Sequence, residues 1–470
     1  MLNGCTPLPP HAIGRYYNHG FYQGAALPQL LSDAARAYAT CTALIHGEHR
    51  LTYRELNRRV ERMAAGLTLR GIRCGDRVIL QLPNVPEFVI TAYALMRAGA
   101  LPVFAPISHR AREIAHLAHI TEAAAYIGPG LHHGFDHAKM AAEISDDHPR
   151  LRRAFTLDGP EGTQTGFATA PSGCLFFPLG SVDAPSDRDR TYHPNDVAFF
   201  LPSSRTAGSP KLIPRTHNDF AYQTRAAADL INLGPQDVYL AALPAESNLT
   251  LGAPGILGAL AAGATVVLID TPDPADAFPT IEAEKVTVTS LLPAVAQLWL
   301  DTPLNGQYDL SSLRLIQIGS APVPSELAAR IQPAFDCRLQ QVYGTAEGLL
   351  CLTRLTDTDD VIHHTQGRPL SPGDEIRITN AHGTDQPTGT PGQLWMRGPY
   401  TLRGYYKAPD HNTHAFTPDG FFKTGHTARL TEDGNLLIEA HTDAADSSLP
   451  EPANPPTEPP HQPARPRLDP

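Results

Sequence analysis

The sequence predicts an α/β protein with parallel sheets covered on both faces, followed by a smaller β-rich region. Three observations predict it. Segments with apolar residues at helical spacing alternate with short apolar runs, the pattern of helices packed on parallel strands. From about Gly367 the texture changes to short strands separated by Gly, Pro and Asp turns. The 470-residue length and 42% hydrophobic content suit a large core and more than one unit.

The elements follow in order. Thr52-Tyr53-Arg54-Glu55 is a capping box, after which Leu56, Val60, Met63 and Leu67 recur at helical spacing and Gly71 closes the helix. A strand is predicted at 78–82. Asn84 with Glu87 is predicted to open a second helix, which Gly99 ends before an apolar strand at 101–104. Segments 96–104 and 260–268 echo each other as helix, Gly-Ala, strand. Leu251 to Ile269 carries no charge and approaches membrane-spanning length. Gly263 divides it into a helix-like half and a β-branched half, so a buried helix, a turn and a buried strand are expected. In the β-rich region, strands are predicted at 374–378, 393–397 and 435–439. Leu449 to Pro470 holds nine prolines in 22 residues and is predicted to be a disordered tail.

Composition excludes some functions. With Lys+Arg 37 and Asp+Glu 48, the formal charge is −11, and the basic residues are scattered. Neither a nucleic-acid partner nor an anionic membrane partner is expected. Six cysteines stand far apart with no CxxC pair, and no secretory signal is apparent. Together these predict a cytoplasmic protein with reduced thiols.

The chemistry-bearing stretches come in a fixed order. The first runs from Ser203 through Ser204, Arg205, Thr206, Ala207 and Gly208 to Lys211. It is a small-residue loop of the kind whose N–H groups and hydroxyls cradle phosphates, with the lysine supplying charge. Next come Gly319-Ser320-Ala321 after an apolar strand, then Gln341-Val342-Tyr343-Gly344-Thr345-Ala346-Glu347. Arg397 through Tyr406 and Gly420 through His426 complete the set. Glu347 offers hard oxygens suited to Mg²⁺. Tyr343 offers a flat face for adenine, with ordinary core packing as the alternative. Gly319, Ser320 and Ala321 let a nucleotide approach the backbone.

These motifs, in this order, resemble the adenylate-forming superfamily, and within it the aryl-acid–AMP ligases that act on 2,3-dihydroxybenzoate or salicylate. The likeness runs from roughly Tyr16 to Ile438. It implies two doubly wound α/β subdomains plus a distorted β-barrel subdomain. On that basis residues 1–440 form the large domain, with 367–440 its β-rich part. Residues 441–470 are a degenerate hinge and tail, and the family's small C-terminal domain is expected to be absent from this chain. The implied reaction is attack of an aromatic carboxylate on the α-phosphate of Mg²⁺-bound ATP, giving aryl-AMP and pyrophosphate. Transfer to the phosphopantetheine thiol of an aryl carrier protein follows, in non-ribosomal peptide, siderophore or antibiotic biosynthesis.

The resemblance assigns Lys211 and Glu347 as catalytic, with Glu347 also the metal ligand. It places the nucleotide against Ser203, Ser204, Arg205, Thr206, Gly208, Gly319, Ser320, Ala321, Val342, Tyr343, Gly344 and His426. The acid pocket falls to Ser247, Asn248, Leu249, Ala253, Gly319 and Val342. Asn248 matches the asparagine that contacts the ring's ortho substituent. Ser247, Leu249 and Ala253 replace the histidine, aromatic residue and serine common there, so an ortho-hydroxy or ortho-amino benzoate with a further apolar substituent is expected. Three departures bear on activity: the phosphate loop lacks paired glycines, His426 stands for the aspartate that holds the ribose, and the C-terminal lysine has no counterpart. A catalytically impaired paralogue acting as a binding module, or an aryl-CoA ligase, are the alternatives.

Overall fold

The computed structural model describes residues 2–158, 168–186, 192–203, 210–303 and 306–441. Two mixed sheets with parallel centres form its body. In one, the parallel strands Thr42–His46, Val238–Ala241, Thr265–Leu268, Val288–Leu291, Leu315–Gly319 and Arg338–Thr345 are flanked by antiparallel edge strands, nine in all. In the other, Arg77–Leu80, Leu101–Phe104, Ala125–Pro129, Arg153–Leu157, Leu175–Pro178 and Val197–Pro202 run parallel within eight strands. Glu375–Thr379, Gly392–Arg397, Phe422–Leu430 and Leu436–His441 form a separate antiparallel sheet, which is the predicted β-rich region.

The principal core lies between the two large sheets. It joins Val78, Leu80 and Phe104 of one to Leu44, Tyr239, Val266 and Leu268 of the other. The helix Pro86–Ala98 fills much of that space and is buried on nearly every side. That explains its weak amphipathicity in the sequence. Each large aliphatic side chain buried there contributes about 1.5–3 kcal/mol.

Most local expectations hold. The Thr52–Glu55 capping box is formed in both directions and opens the helix Tyr53–Leu69. Gly99 adopts φ 74 at the end of Pro86–Ala98. The two echoing segments do take the same helix–glycine–strand form, one strand in each large sheet. The uncharged 251–269 stretch is a short helix and a strand. Among the described residues no helix is long and apolar enough to cross a membrane.

One expectation is corrected. Asn84 does not cap the second helix, whose N-cap is Val85 without a side-chain bond. Its amide instead donates to the carbonyls of Ala241, Leu243 and Ile269 at 3.2, 2.9 and 3.1 Å, and accepts from Ala245 N–H at 2.8 Å. Converging carbonyls from the opposite sheet outcompete a local cap. The result pins the loop after Val238–Ala241, which leads to Ser247, Asn248 and Leu249.

Candidate active site

Most of the predicted site residues that are described gather at the carboxyl ends of parallel strands, where ligands bind in open α/β sheets. The eight-stranded sheet supplies the lysine. Val197–Pro202 turns back through the phosphate-type loop into Leu212–Thr216 as an antiparallel pair. Ser203 N–H donates to the Lys211 carbonyl at 2.8 Å, and Lys211 N–H donates to Ser203 Oγ at 3.1 Å. These bonds close the base of the loop. Ser204, Arg205, Thr206, Ala207 and Gly208 lie outside the described residues.

The nine-stranded sheet supplies the remainder. Leu315–Gly319 and Arg338–Thr345 are parallel neighbours, with Gly319 paired to Val342. A Cβ on Gly319 would collide with the Val342 carbonyl, so this approach requires glycine. Ser320, at φ 66, and Ala321 follow on the exposed surface. Tyr343 and Gly344 occupy the end of the next strand, and Ala346-Glu347 form the turn into Gly348–Leu352.

Glu347 is only 2% exposed. Tyr405 Oη donates to its Oε1 at 2.9 Å, and Leu402 N–H donates to its carbonyl at 2.7 Å. Tyr406 N–H in turn donates to the Leu212 carbonyl at 2.9 Å. The 402–406 segment therefore straps the glutamate turn to the lysine strand. This gives the Arg397–Tyr406 motif a role that its sequence left open. No group of three or more His, Cys, Asp or Glu side chains gathers as a metal cage among the described residues. A single buried carboxylate, with one oxygen committed to Tyr405, fits Mg²⁺, which commonly takes one or two protein carboxylates and completes its shell with phosphates and water.

His426, on Phe422–Leu430, reaches Tyr343. Its Nδ1 and the Tyr343 Oη share a 2.8 Å hydrogen bond, with the rings edge to face at 5.4 Å. The small sheet thereby contributes a side chain to the expected nucleotide platform.

The residues expected to line the acid pocket are also brought together. Leu249, Ala253 and Val342 belong to one buried apolar cluster with Tyr222, Leu243 and Leu350. Asn248 begins the helix Asn248–Gly252, and its Nδ2 donates to the Thr345 carbonyl at 3.2 Å. Ser247 is that helix's N-cap: its Oγ accepts from Thr250 N–H at 3.3 Å and donates to Thr250 Oγ1 at 2.9 Å. The hydroxyl expected to face the acid is thus engaged locally.

Sequence reasoning missed two groups. Arg215 is fully buried; Nε donates to Asp219 at 2.9 Å, Nη2 to Gln223 Oε1 at 2.8 Å and Nη1 to the Ala346 carbonyl at 3.2 Å. Its partners lie up to 131 residues away, so only a lone arginine beside Thr216-His217 marks it in the sequence. Glu246, adjacent to the pocket, is buried, and desolvation raises its carboxyl to about 7.

An adenylate-forming large domain is the class that this fold and site define. The chain belongs to the AMP-binding enzyme family, whose model matches residues 31–406. It is 43% identical over 439 residues to a 2,3-dihydroxybenzoate-AMP ligase of Bacillus subtilis, covering 93% of this chain and 79% of the relative. It is 42% identical over 442 residues to a salicyl-AMP ligase / salicyl-S-ArCP synthetase of Mycobacterium tuberculosis, covering 93% and 76%. The apo structure of Mycobacterium smegmatis MbtA superposes with a TM-score of 0.85 at 40% identity, covering 93% of this chain and 80% of that one.

Proposed function

We propose that this protein is an aryl-acid–AMP ligase, joining an ortho-substituted aromatic carboxylate to the α-phosphate of ATP with release of pyrophosphate. One observation carries the reading. Asn248 of the acid pocket bonds the Thr345 carbonyl, two residues before the buried Glu347. The acid-binding amide and the metal-type carboxylate therefore share one turn. The relatives that act on 2,3-dihydroxybenzoate and salicylate support the same substrate class.

The chain's own groups divide the work. The reaction brings two anions together, so the site must supply positive charge and oriented donors. Lys211, at the base of the closed loop, supplies charge toward the departing pyrophosphate. Glu347 would hold Mg²⁺, which neutralises phosphate charge when bound. Tyr343, Gly344, Val342, Gly319, Ser320 and Ala321 form the nucleotide platform, with His426 beside Tyr343 on the ribose side. Leu249, Ala253 and Val342 give the acid an apolar slot, and Asn248 its polar contact. Residues 1–440 are proposed as the large domain, with 441–470 outside it. The acceptor of the aryl group is a phosphopantetheine thiol on a carrier protein, and the protein acts in the cytoplasm.

The test is ATP–pyrophosphate exchange across a panel of hydroxy- and aminobenzoates, with neighbouring biosynthetic proteins supplied. Exchange that depends on one of these acids is expected. None across the panel overturns the proposal. Thioester formation on free coenzyme A instead of a carrier would reassign the second step alone.

A further inference from the structure

The hydrogen bonds behind Asn248 have a direction, and it starts at Arg215. A guanidinium only donates. Its Nη2 lies 2.8 Å from Gln223 Oε1, so the oxygen end of that buried amide must face the arginine. The Gln223 Nε2 then points the other way, where it donates to the Gly252 carbonyl at 2.9 Å and meets Asn248 Oδ1 at 3.4 Å. The Gly252 carbonyl only accepts, so both ends of Gln223 demand the same orientation.

That orientation passes to Asn248. Turning the Asn248 amide around would set its NH₂ against the Gln223 NH₂, and its oxygen against the Thr345 carbonyl oxygen, where Nδ2 now donates at 3.2 Å. Both contacts would become repulsive. The oxygen end faces a fully buried glutamine, whereas the nitrogen end faces the half-buried strand end and turn at 343–346. Nδ2 carries two hydrogens, and Thr345 takes one. Among the described residues there is no second acceptor for the other.

We infer that Arg215 and Gln223 are positioning residues that fix Asn248 as a hydrogen-bond donor toward the acid, and so select an ortho group that accepts over one that donates. The inference rests on the adenylation reading above and decides between its two substrate types. An ortho hydroxyl or phenolate oxygen accepts readily. An aniline nitrogen, with its lone pair drawn into the ring, presents mainly N–H groups and would meet Asn248 donor against donor.

The experiment compares 2-hydroxybenzoate with 2-aminobenzoate in pyrophosphate exchange. The wild-type protein is expected to favour the hydroxy acid at least about tenfold in kcat/KM. Gln223→Met keeps the length of the side chain but removes its polarity. It is expected to reduce that preference about tenfold, with the KM for ATP unchanged within about twofold; a merely structural lesion would affect both substrates alike. Asn248→Asp replaces the donor edge with acceptors at a half-buried position, and is expected to shift the preference toward the amino acid.

A wild-type preference for 2-aminobenzoate, or none, overturns the inference and leaves the adenylation reading standing. So does an unchanged preference in a cooperatively folded Gln223→Met protein. If that variant does not fold, Asn248→Asp and the wild-type ratio decide. If the wild-type protein exchanges with neither acid nor any other in the panel, the adenylation reading itself fails and takes the inference with it.

Discussion

On the proposed acid side, Asn248 is held by a chain of directed bonds that begins at a buried arginine. On the proposed nucleotide side, Tyr343 and His426 meet in one bond between two rings, while Ser320 and Ala321 stand exposed. The first arrangement runs between a guanidinium that only donates and backbone carbonyls that only accept, and these ends orient the two amides between them, so its polarity cannot be reversed without several repulsive contacts. The second centres on a hydroxyl and an imidazole, each of which can play either part. The acid half is therefore fixed in one sense, whereas the nucleotide half is adjustable.

The strongest way to break this difference is to remove its root. Arg215→Met leaves Asp219 buried without its cation and Gln223 without its donor. Losing one partner of a buried ion pair costs about 3–5 kcal/mol. Urea unfolding of the variant should show a loss of that size, and acid binding should weaken more than ATP binding. Equal weakening of both would mean that Arg215 does not serve the acid half in particular.

Glu347 belongs to the turn that both halves share. Glu347→Gln keeps the shape and can still accept from Tyr405, but removes the charge that suits Mg²⁺. A loss of about a hundredfold to a thousandfold in exchange rate is expected, with the melting temperature nearly unchanged. Full activity would show that the metal is held elsewhere.

Much of the scaffold was legible because it rests on short-range rules. The Thr52–Glu55 box, the glycine at 99 and the strand before Gly319 each follow from neighbours within a few residues. The site motifs were legible for a related reason: they lie on turns at strand ends, and turns retain distinctive residue types. Asn84, Arg215 and Gln223 were not. Their partners come from other elements, and nothing in Asn84-Val85-Pro86-Glu87 shows that three carbonyls at the strand ends of another sheet will converge on that amide. Ser247 was legible only in part: it stands at the start of the helix that carries Asn248, and nothing in its neighbours showed that its hydroxyl caps that helix. The expectations for 204–208 and 441–470 bear on segments that lie wholly or largely outside the described residues, so only the closed base of the loop, at Ser203 and Lys211, is in view.

Glu246 sharpens the comparison through pH. Burial raises its carboxyl to about 7, from an ordinary 4.5 in the unfolded chain. The native state therefore favours the protonated form. The stability this group contributes is fully present below pH 4.5 and is lost as pH rises through about 7. At pH 8 the penalty is roughly 3 kcal/mol, because each pH unit that separates the folded from the unfolded value is worth about 1.4 kcal/mol. Glu246→Gln should raise the melting temperature at pH 8 and leave it unchanged near pH 4. A gain of equal size at both would place the effect in packing and not in titration.

The smallest expected effect tests the nucleotide half directly. The family resemblance places an aspartate where this chain has His426, and assigns it to the ribose hydroxyls. A carboxylate accepts from two hydroxyls at once, whereas a neutral imidazole has one accepting nitrogen, and here Nδ1 already faces Tyr343. Hydrogen bonds to a charged group contribute about 1.5–3 kcal/mol. His426→Asp should therefore lower the KM for ATP by about tenfold or somewhat more, with the KM for the aromatic acid unchanged because none of the bonds of the Arg215–Gln223–Asn248 chain goes to His426. Measuring both constants in one titration series separates the halves. A drop in the ATP constant alone would show that the nucleotide half is improvable at one position while the acid half is already set. No drop would mean that the Tyr343–His426 pair already does the aspartate's work, and that the two halves are more alike than their bonding suggests.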